Sequence, residues 1–540
     1  MKRRQLLLFS ALFLLLLLAL QLAAVERKTG GSEGQSVYGT LEPDDSQGDP
    51  LAFLNADFTP KAGFSTNLPI AVLRVDRVLP RYDEDREEDW ESDIPRTASL
   101  EKRWGYGTLQ LIDTGGTNSL SSPVAAETAI RIRRRGHSSM NYDKPQYSIK
   151  TLNEAGEEVP VDLLGMGAGD GWILNGSMAD KSMLRNYLAY RVASEVQPET
   201  PDCRFCEVFL SEKDGALTYQ GVYLLMERIT RGETRIDIDA SKRKNVYTSY
   251  IVRRDRYNQY DTMLDTWGRK NGMCPEDQWI GVKYPGKIKQ TEATLSYITQ
   301  DFSKIEKVLY SEDPMVFKTY GRYLDVNSFV DYFLLNEFFG NYDSGEHSTI
   351  MWKNTGGKLH IGPVWDFDQA MNNVYSQEQD PDTLAMTEKP FFAQLLKDKD
   401  FLDRLTRRYA SLRRSTLSEE HIFALMEEAE SYLRSASQRE WFRWAEDYLD
   451  GSGENPHNYY LEPYKIEGVN LNRFNADRDW EKTILRAYLR QHGRTIPKEL
   501  QKLYDSATVQ SGLAGENGLL LLAMLALFGA PAYLVNRRAR

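Results

Sequence analysis

The apolar pattern changes period partway along the chain, and this limits the fold more than any other feature. "LPIAVLRVD" (68–76) reads as a strand, and "TAIRIRRRG" alternates Ile130 and Ile132 with arginines up to a turn at Gly136. "QYSIKTL" and the short apolar "GWILNGS" continue the strands. In "DKSMLRNYLAYRVASEV" the period lengthens. Met183, Leu184, Tyr187, Leu188 and Val192 share one helical face, Asp180 is placed to cap its start, and Arg185 suits an internal ion pair. "CEVFLSEKDGALTYQGVYLLMERI" then gives two strands about a glycine turn. From residue 290 the pattern is helical, over 290–310, 326–340, 390–450 and 474–503, broken by a hairpin in "STIMWKNTGGKLHIGPVWD". Strands first and helices later predict an α+β fold, with a strand-rich lobe over about 61–290 and a helical lobe over about 291–505. Bodies of this type bind ligands in the crevice between lobes.

The ends predict a membrane setting. "MKRRQLLLFSALFLLLLLALQLAA" (1–24) has a basic start, an apolar run and small residues at its end, the pattern of a signal peptide or signal anchor. Residues 25–60 read as a linker, as do 506–517. Gly518 to Val535 is apolar and about 18 residues long, enough for a short transmembrane helix; a buried core helix is the alternative. Arg537, Arg538 and Arg540 place the tail 536–540 in the cytoplasm and the main domain outside it. The 78 acids outnumber 67 Lys and Arg, which argues against a nucleic-acid partner. Of the three cysteines, Cys203 and Cys206 could close a small disulfide or be structural, leaving Cys274 odd.

Two acids carry the chemical interest. Asp343 ends a helical run and Asp366 follows the next hairpin, 366 − 343 = 23 positions later, with Asp368 two further on. A helix, a loop acid, a hairpin and a second acid can bring both carboxylates to one place. Magnesium prefers one or two carboxylates plus phosphate oxygens, and phosphoryl transfer uses such a pair, one acid for the attacking hydroxyl and one for the metal. Simple turn-capping is the other reading of Asp366 and Asp368. In "RIRRRGHSSMNYDKPQYSIK", Gly136, Ser138 and Ser139 can offer N–H and hydroxyl groups to phosphate, and Lys144 and Lys150 lie near or on the next strand. Glu227 ends a strand, where a buried acid beside a lysine and a satisfied strand-end acid are equally natural. HExxH is absent, which disfavours a zinc hydrolase, and the one GxSxG, at residues 30–34, falls in the linker and not at a strand-to-helix turn, which disfavours an α/β-hydrolase.

As a set, these residues resemble the CotH kinase family of secreted atypical protein kinases. "RGHSSMNYDKPQYSIK" is similar to its RG-x-S-S segment, "WILNGSMADKSMLRNYLAYRV" to its W-x-L…LRN-x-LA helix, and "GVYLLMERI" to its GVY-x-x-x-E strand; "VKYP", "NYDSGEH" and "GPVWDFDQAM" follow in order. The resemblance covers about 60–505, with its specific motifs between 136 and 371. It implies a two-lobed kinase-like fold, ATP with Mg²⁺ (or Mn²⁺), and phosphate transfer to Ser or Thr of an envelope or surface protein at a bacterial cell membrane. Asp343 then matches the acid near the acceptor hydroxyl and Asp366 the metal-binding acid, with Asp368 a further metal partner. Lys144, the closer match, and Lys150 are the candidate phosphate contacts, one of them oriented by Glu227. Five residues past Asp343 the family commonly has asparagine, and this chain has Ser348. A hydroxyl is a weaker metal ligand than an amide oxygen, so a pseudokinase or a non-catalytic envelope assembly module is the alternative.

Overall fold

The computed structural model describes residues 40–80, 103–136, 142–176, 178–257, 261–373, 380–449, 465–466, 469–470 and 478–507. Ser138, Ser139 and both terminal apolar runs lie outside these. Among the described residues, no helix is long and apolar enough to cross a membrane. The chain divides into two compact units, Met1–Leu41 and Glu42–Arg540, and every element named below belongs to the second.

Seven strands form a closed barrel: β1 (Ile70–Val75), β2 (Gly105–Ile112), β3 (Ala126–Arg135), β4 (Gln146–Leu152), β5 (Gly171–Asn175), β6 (Cys203–Glu212) and β7 (Thr218–Glu227). Their order around the barrel is β6-β7-β5-β4-β3-β2-β1. An odd ring cannot alternate direction throughout, so one neighbouring pair must be parallel. That pair is β1 with β6, in register from Ile70 opposite Glu207 to Val75 opposite Glu212. The period-two pattern fills the interior: Leu73 and Val75, Leu109 and Leu111, Ile130 and Ile132, Trp172 and Leu174, and Tyr223 and Leu225 belong to one buried cluster.

Cys206 belongs to that cluster, while Cys203 is buried outside it. Three positions apart on β6, the two side chains point to opposite faces, so no disulfide can join them, and all three cysteines are free. A thiol reagent should therefore titrate at most Cys274, which is half-buried, in the native protein, and all three after denaturation. Two fast-reacting thiols before unfolding would contradict this arrangement.

Helices and strands are both present, as α+β requires, but their boundary is not at residue 290. A second, antiparallel sheet has the order β9-β10-β8-β11-β12. It draws β8 (Tyr250–Arg256), β9 (Thr262–Leu264) and β10 (Gln278–Tyr284) from before that point, and the expected hairpin β11 (Thr349–Lys353) and β12 (Leu359–Ile361) from after it. The sequence pattern also passed over β2 and β8–β10. They alternate polar and apolar residues less regularly, and β8 carries Arg253, Arg254, Asp255 and Arg256 in succession.

The longer helices are α1 (Arg185–Ala193), α2 (Glu292–Leu309), α3 (Val326–Phe338), α4 (Lys399–Leu412), α5 (Glu419–Tyr432), α6 (Arg434–Leu449) and α7 (Arg478–Ser506). Asp325 caps α3, accepting from the Ser328 N–H at 2.9 Å. Asp180 accepts from the first N–H of α1, that of Arg185, at 2.8 Å, and also pairs with the Arg185 guanidinium at 2.6 Å. Arg185 reaches on to Glu481 of α7 at 3.2 Å, the internal ion pairing its position suggested. α1 is buried on nearly every side, so the single apolar face read from the sequence understates its contacts.

Helix α6 is fastened to the barrel by buried charge. Arg439 grips both oxygens of Glu207, at 2.7 and 2.8 Å. Glu440 accepts from the Val222 N–H at 2.7 Å and from Lys144 at 2.6 Å. Gly221 makes room for this: its φ is +97°, and a Cβ there would meet the Glu440 carboxylate at 2.1 Å.

Candidate active site

Helix α3 is followed by a loop, Asn341–Ser348, held by polar side chains in it and around it. Ser344 donates to Asn336 Oδ1 at 2.6 Å, the Gly345 N–H donates to Thr349 Oγ1 at 2.8 Å, and the buried Arg254 donates to the Gly345 carbonyl at 3.0 Å. Two residues bind this loop to the segment after β12. Asn341 donates to the Trp365 carbonyl at 3.1 Å, and the Tyr342 hydroxyl donates to Gln369 at 2.7 Å. Asp343 and Asp366 sit next to these ties.

Helix α1 holds the second acid from the other side. Asn186 and Tyr190, four residues apart on one face, accept from the N–H groups of Phe367 at 2.8 Å and Asp366 at 3.0 Å. Arg185 donates to the Ala370 carbonyl at 3.1 Å. Asp366 itself has φ +68°, in the left-handed region that aspartate tolerates better than most residues. These contacts fix a conformation that the backbone would not choose alone.

Asp343 and Asp368 lie within electrostatic reach of Asp366, and Ser348 lies within hydrogen-bond reach of it. Ser348 donates to Asp366 Oδ2 at 3.3 Å. Burial pushes the Asp343 carboxyl above its ordinary range, against the pull of His347, Arg256 and Lys389. Burial does the same to Asp366, reinforced by the Asp343 and Asp255 carboxylates and opposed by Arg135. Asp368, almost fully buried, is raised well above the carboxylate range by burial and then by Asp366 and Asp180. Acids that resist ionisation and crowd one another are a place where a cation is favourable. Among the described residues, no three His, Cys, Asp or Glu side chains gather as a complete metal cage. The donors present, two carboxylates and a hydroxyl, fit a hard divalent ion that also takes phosphate and water oxygens.

The other expected residues are engaged elsewhere. Lys144 is fully buried against Glu440 and the Val222 carbonyl, to which it donates at 2.7 Å. Lys150 pairs with Glu158 at 2.7 Å and Asp170 at 2.9 Å. Glu227 orients neither lysine: it pairs with Arg235 and accepts from the Asp202 N–H at 2.9 Å, and burial raises its carboxyl to about 7. Gly136 follows the last residue of β3, Arg135, with φ +121°.

Arg135, one of the strand arginines that could either bind anions or form a solvated face, was not singled out as a site residue. It donates to Gln146 at 2.8 Å, lies 5.9 Å from the Trp365 ring, and faces Asp366 electrostatically. Beyond it, β8 presents Arg253 and Asp255 on one face, 3.1 Å apart, and β10 presents Lys283, 2.6 Å from Asp261. The signal for Lys283 was in "VKYP", a motif noted without a role. For Arg135 it was the last of three arginines before Gly136.

A family model described as CotH kinase protein matches residues 132–468. No curated protein matches the chain. The matched stretch leaves out β1, β2 and α7, although β1 closes the barrel and Glu481 of α7 partners Arg185.

Proposed function

The chain belongs to the CotH kinase protein family, and from that premise we propose that it is an atypical protein kinase that moves the γ-phosphate of ATP to serine or threonine of an envelope or surface protein. The proposal extends to its setting: a two-lobed kinase domain over residues 61–505, outside the cytoplasm, held to a membrane by the apolar segment 518–535. The observation that carries the catalytic reading is that two hydrogen bonds tie the loop bearing Asp343 to the segment bearing Asp366, with Ser348 donating to Asp366.

Asp343 is the group for the acceptor hydroxyl. Its raised carboxyl pKa suits a residue that takes a proton as the oxygen attacks. Asp366 and Ser348, with Asp368 behind them, would hold Mg²⁺ or Mn²⁺, which supplies charge neutralisation on the phosphates when bound. Asn186, Tyr190 and Arg185 keep the Asp366 segment in place. The protein's contribution is positioning and fixed charge, the main needs of phosphoryl transfer.

Purified full-length protein with labelled ATP, Mg²⁺ and a serine-rich acceptor tests the reading directly: transfer of label supports it, and none under any divalent ion removes it. Ser348 supports one alternative, a nucleotide-binding pseudokinase or assembly module, because it stands where an amide ligand is expected. Its φ of +50° is a conformation that asparagine adopts readily. Ser348→Asn should therefore fold normally and lower the Mg²⁺ concentration for half-maximal binding or activity about three- to tenfold, the worth of one improved hydrogen-bonding group. An unchanged or higher requirement would mean that position 348 is no ligand.

A further inference from the structure

Two loops at the start of α2 carry cations that nothing in the fold neutralises. The first, residues 241–247, bears Lys242, Arg243 and Lys244. The second is the 3₁₀ turn Lys287–Lys289 after β10, with a lysine on either side of Ile288. The same neighbours hold both loops. The Ser241 N–H donates to the Tyr284 hydroxyl of β10 at 2.5 Å, and the Thr294 hydroxyl of α2 donates to the Asn245 carbonyl at 3.0 Å. The Tyr247 ring meets the Tyr297 ring edge-on at 5.2 Å. The turn itself runs between Tyr284 and Thr291, the cap of α2. All five cations are exposed, and among the described residues none has an ion pair or a side-chain hydrogen bond. The acids near them in the chain are Asp237, Asp239 and Glu292, all exposed and none paired with them. In a chain of formal charge −11, this face is a local reversal of sign.

Apolar side chains stand among these charges. Ile288 is 87 % exposed, Tyr247 71 % and Val246 42 %. A Cβ at Gly286 would meet nothing within 4 Å, so the turn stands clear of the body. The composition sorts the partners. Protein–protein interfaces are depleted in lysine and favour arginine, whereas four of the five cations here are lysines. A hydrated ammonium on a flexible stem suits headgroups that hold no fixed positions. An isoleucine between two lysines can enter the acyl boundary while the lysine stems lie along it and their ammonium groups stay with the phosphates.

We propose that this face is a membrane-docking surface whose partner is a bilayer rich in anionic lipid, with Ile288 entering the interface and Lys242, Arg243, Lys244, Lys287 and Lys289 on the headgroups. Docking there fixes how the domain is turned on the membrane, which a single apolar segment at the chain's end cannot do. The inference does not depend on the kinase reading.

Lysine acylation read by mass spectrometry tests it, on full-length protein with vesicles of phosphatidylcholine alone or mixed with phosphatidylglycerol. The readout is local, so an apolar segment that enters both kinds of vesicle does not obscure it. With phosphatidylglycerol, labelling of Lys242, Lys244, Lys287 and Lys289 should fall about fivefold or more, the worth of one cation at an anionic surface. Exposed Lys213, just after β6, should change little, and added salt should weaken the protection. Ile288→Asp and the double variant Lys287→Glu/Lys289→Glu alter only exposed side chains, so both should melt as wild type does. Each should restore labelling of Lys242 and Lys244. Equal labelling on the two kinds of vesicle overturns the proposal. So does protection by soluble polyglutamate that Ile288→Asp leaves intact, which would make the face a site for an acidic protein.

Discussion

Asp366→Asn will lose about 10³-fold in phosphate transfer, the cost of removing one fixed electrostatic partner of the reacting phosphates, and its melting temperature will not fall. The backbone accepts the change, since asparagine takes φ near +68° as readily as aspartate. The Tyr190 bond is to the main-chain N–H and survives. The direction of the stability effect follows from the pKa. A carboxyl whose folded pKa is raised works against folding once it ionises, so its cost grows as pH rises through the carboxylate range. Removing it at neutral pH relieves repulsion with Asp343 and Asp255. Melting curves and labelled-phosphate transfer, measured together, separate this from damage to the fold. A variant that keeps a tenth of wild-type transfer would show that Asp366 holds no essential ion.

Lys144→Met will cost about 3–5 kcal/mol of stability, because it leaves Glu440 as a buried charge without its cation. Both side chains are fully buried, and Glu440 also accepts from the Val222 N–H and, at 2.8 Å, from the Tyr448 hydroxyl. The companion Lys144→Met/Glu440→Gln should recover much of the loss, since a neutral amide tolerates that site better than an unpaired carboxylate. Denaturant titration of the two single variants and the double measures the coupling. A lysine that touched phosphate would behave differently: Lys144→Met would leave the unfolding midpoint alone and weaken ATP. That pattern would return Lys144 to the role its place in the sequence suggested.

The contrast between these residues shows what was legible in the sequence. Periodicity and apolar runs located six of the seven barrel strands, β2 being missed: Ile130 and Ile132 alternate with more exposed residues, whereas β5 stood out as a short apolar run buried throughout. That the loop after α3 and the segment after β12 would lie side by side was legible too: a helix and a short hairpin leave few ways to fold, and Asn341 and Ser348 reach that segment as a result. Closure was not legible. The β1–β6 pairing joins segments more than a hundred residues apart, and nothing local in either strand encodes its partner. Nor could the lysines be sorted. Lys144, Lys150 and Lys283 each lie on or near a strand, and only their surroundings distinguish a buried clasp from an outer ion pair or an open cationic face.

The parallel seam between β1 and β6 has a practical side. A fragment trimmed to residues 132–468 would begin inside β3, lack both strands that bridge β3 to β6, and so become an open, curled sheet with two raw flanks. Such flanks recruit one another between molecules, so that fragment should come out of expression as aggregate. One that starts ahead of Leu68 and runs through Ser506 keeps the ring sealed and stays dispersed.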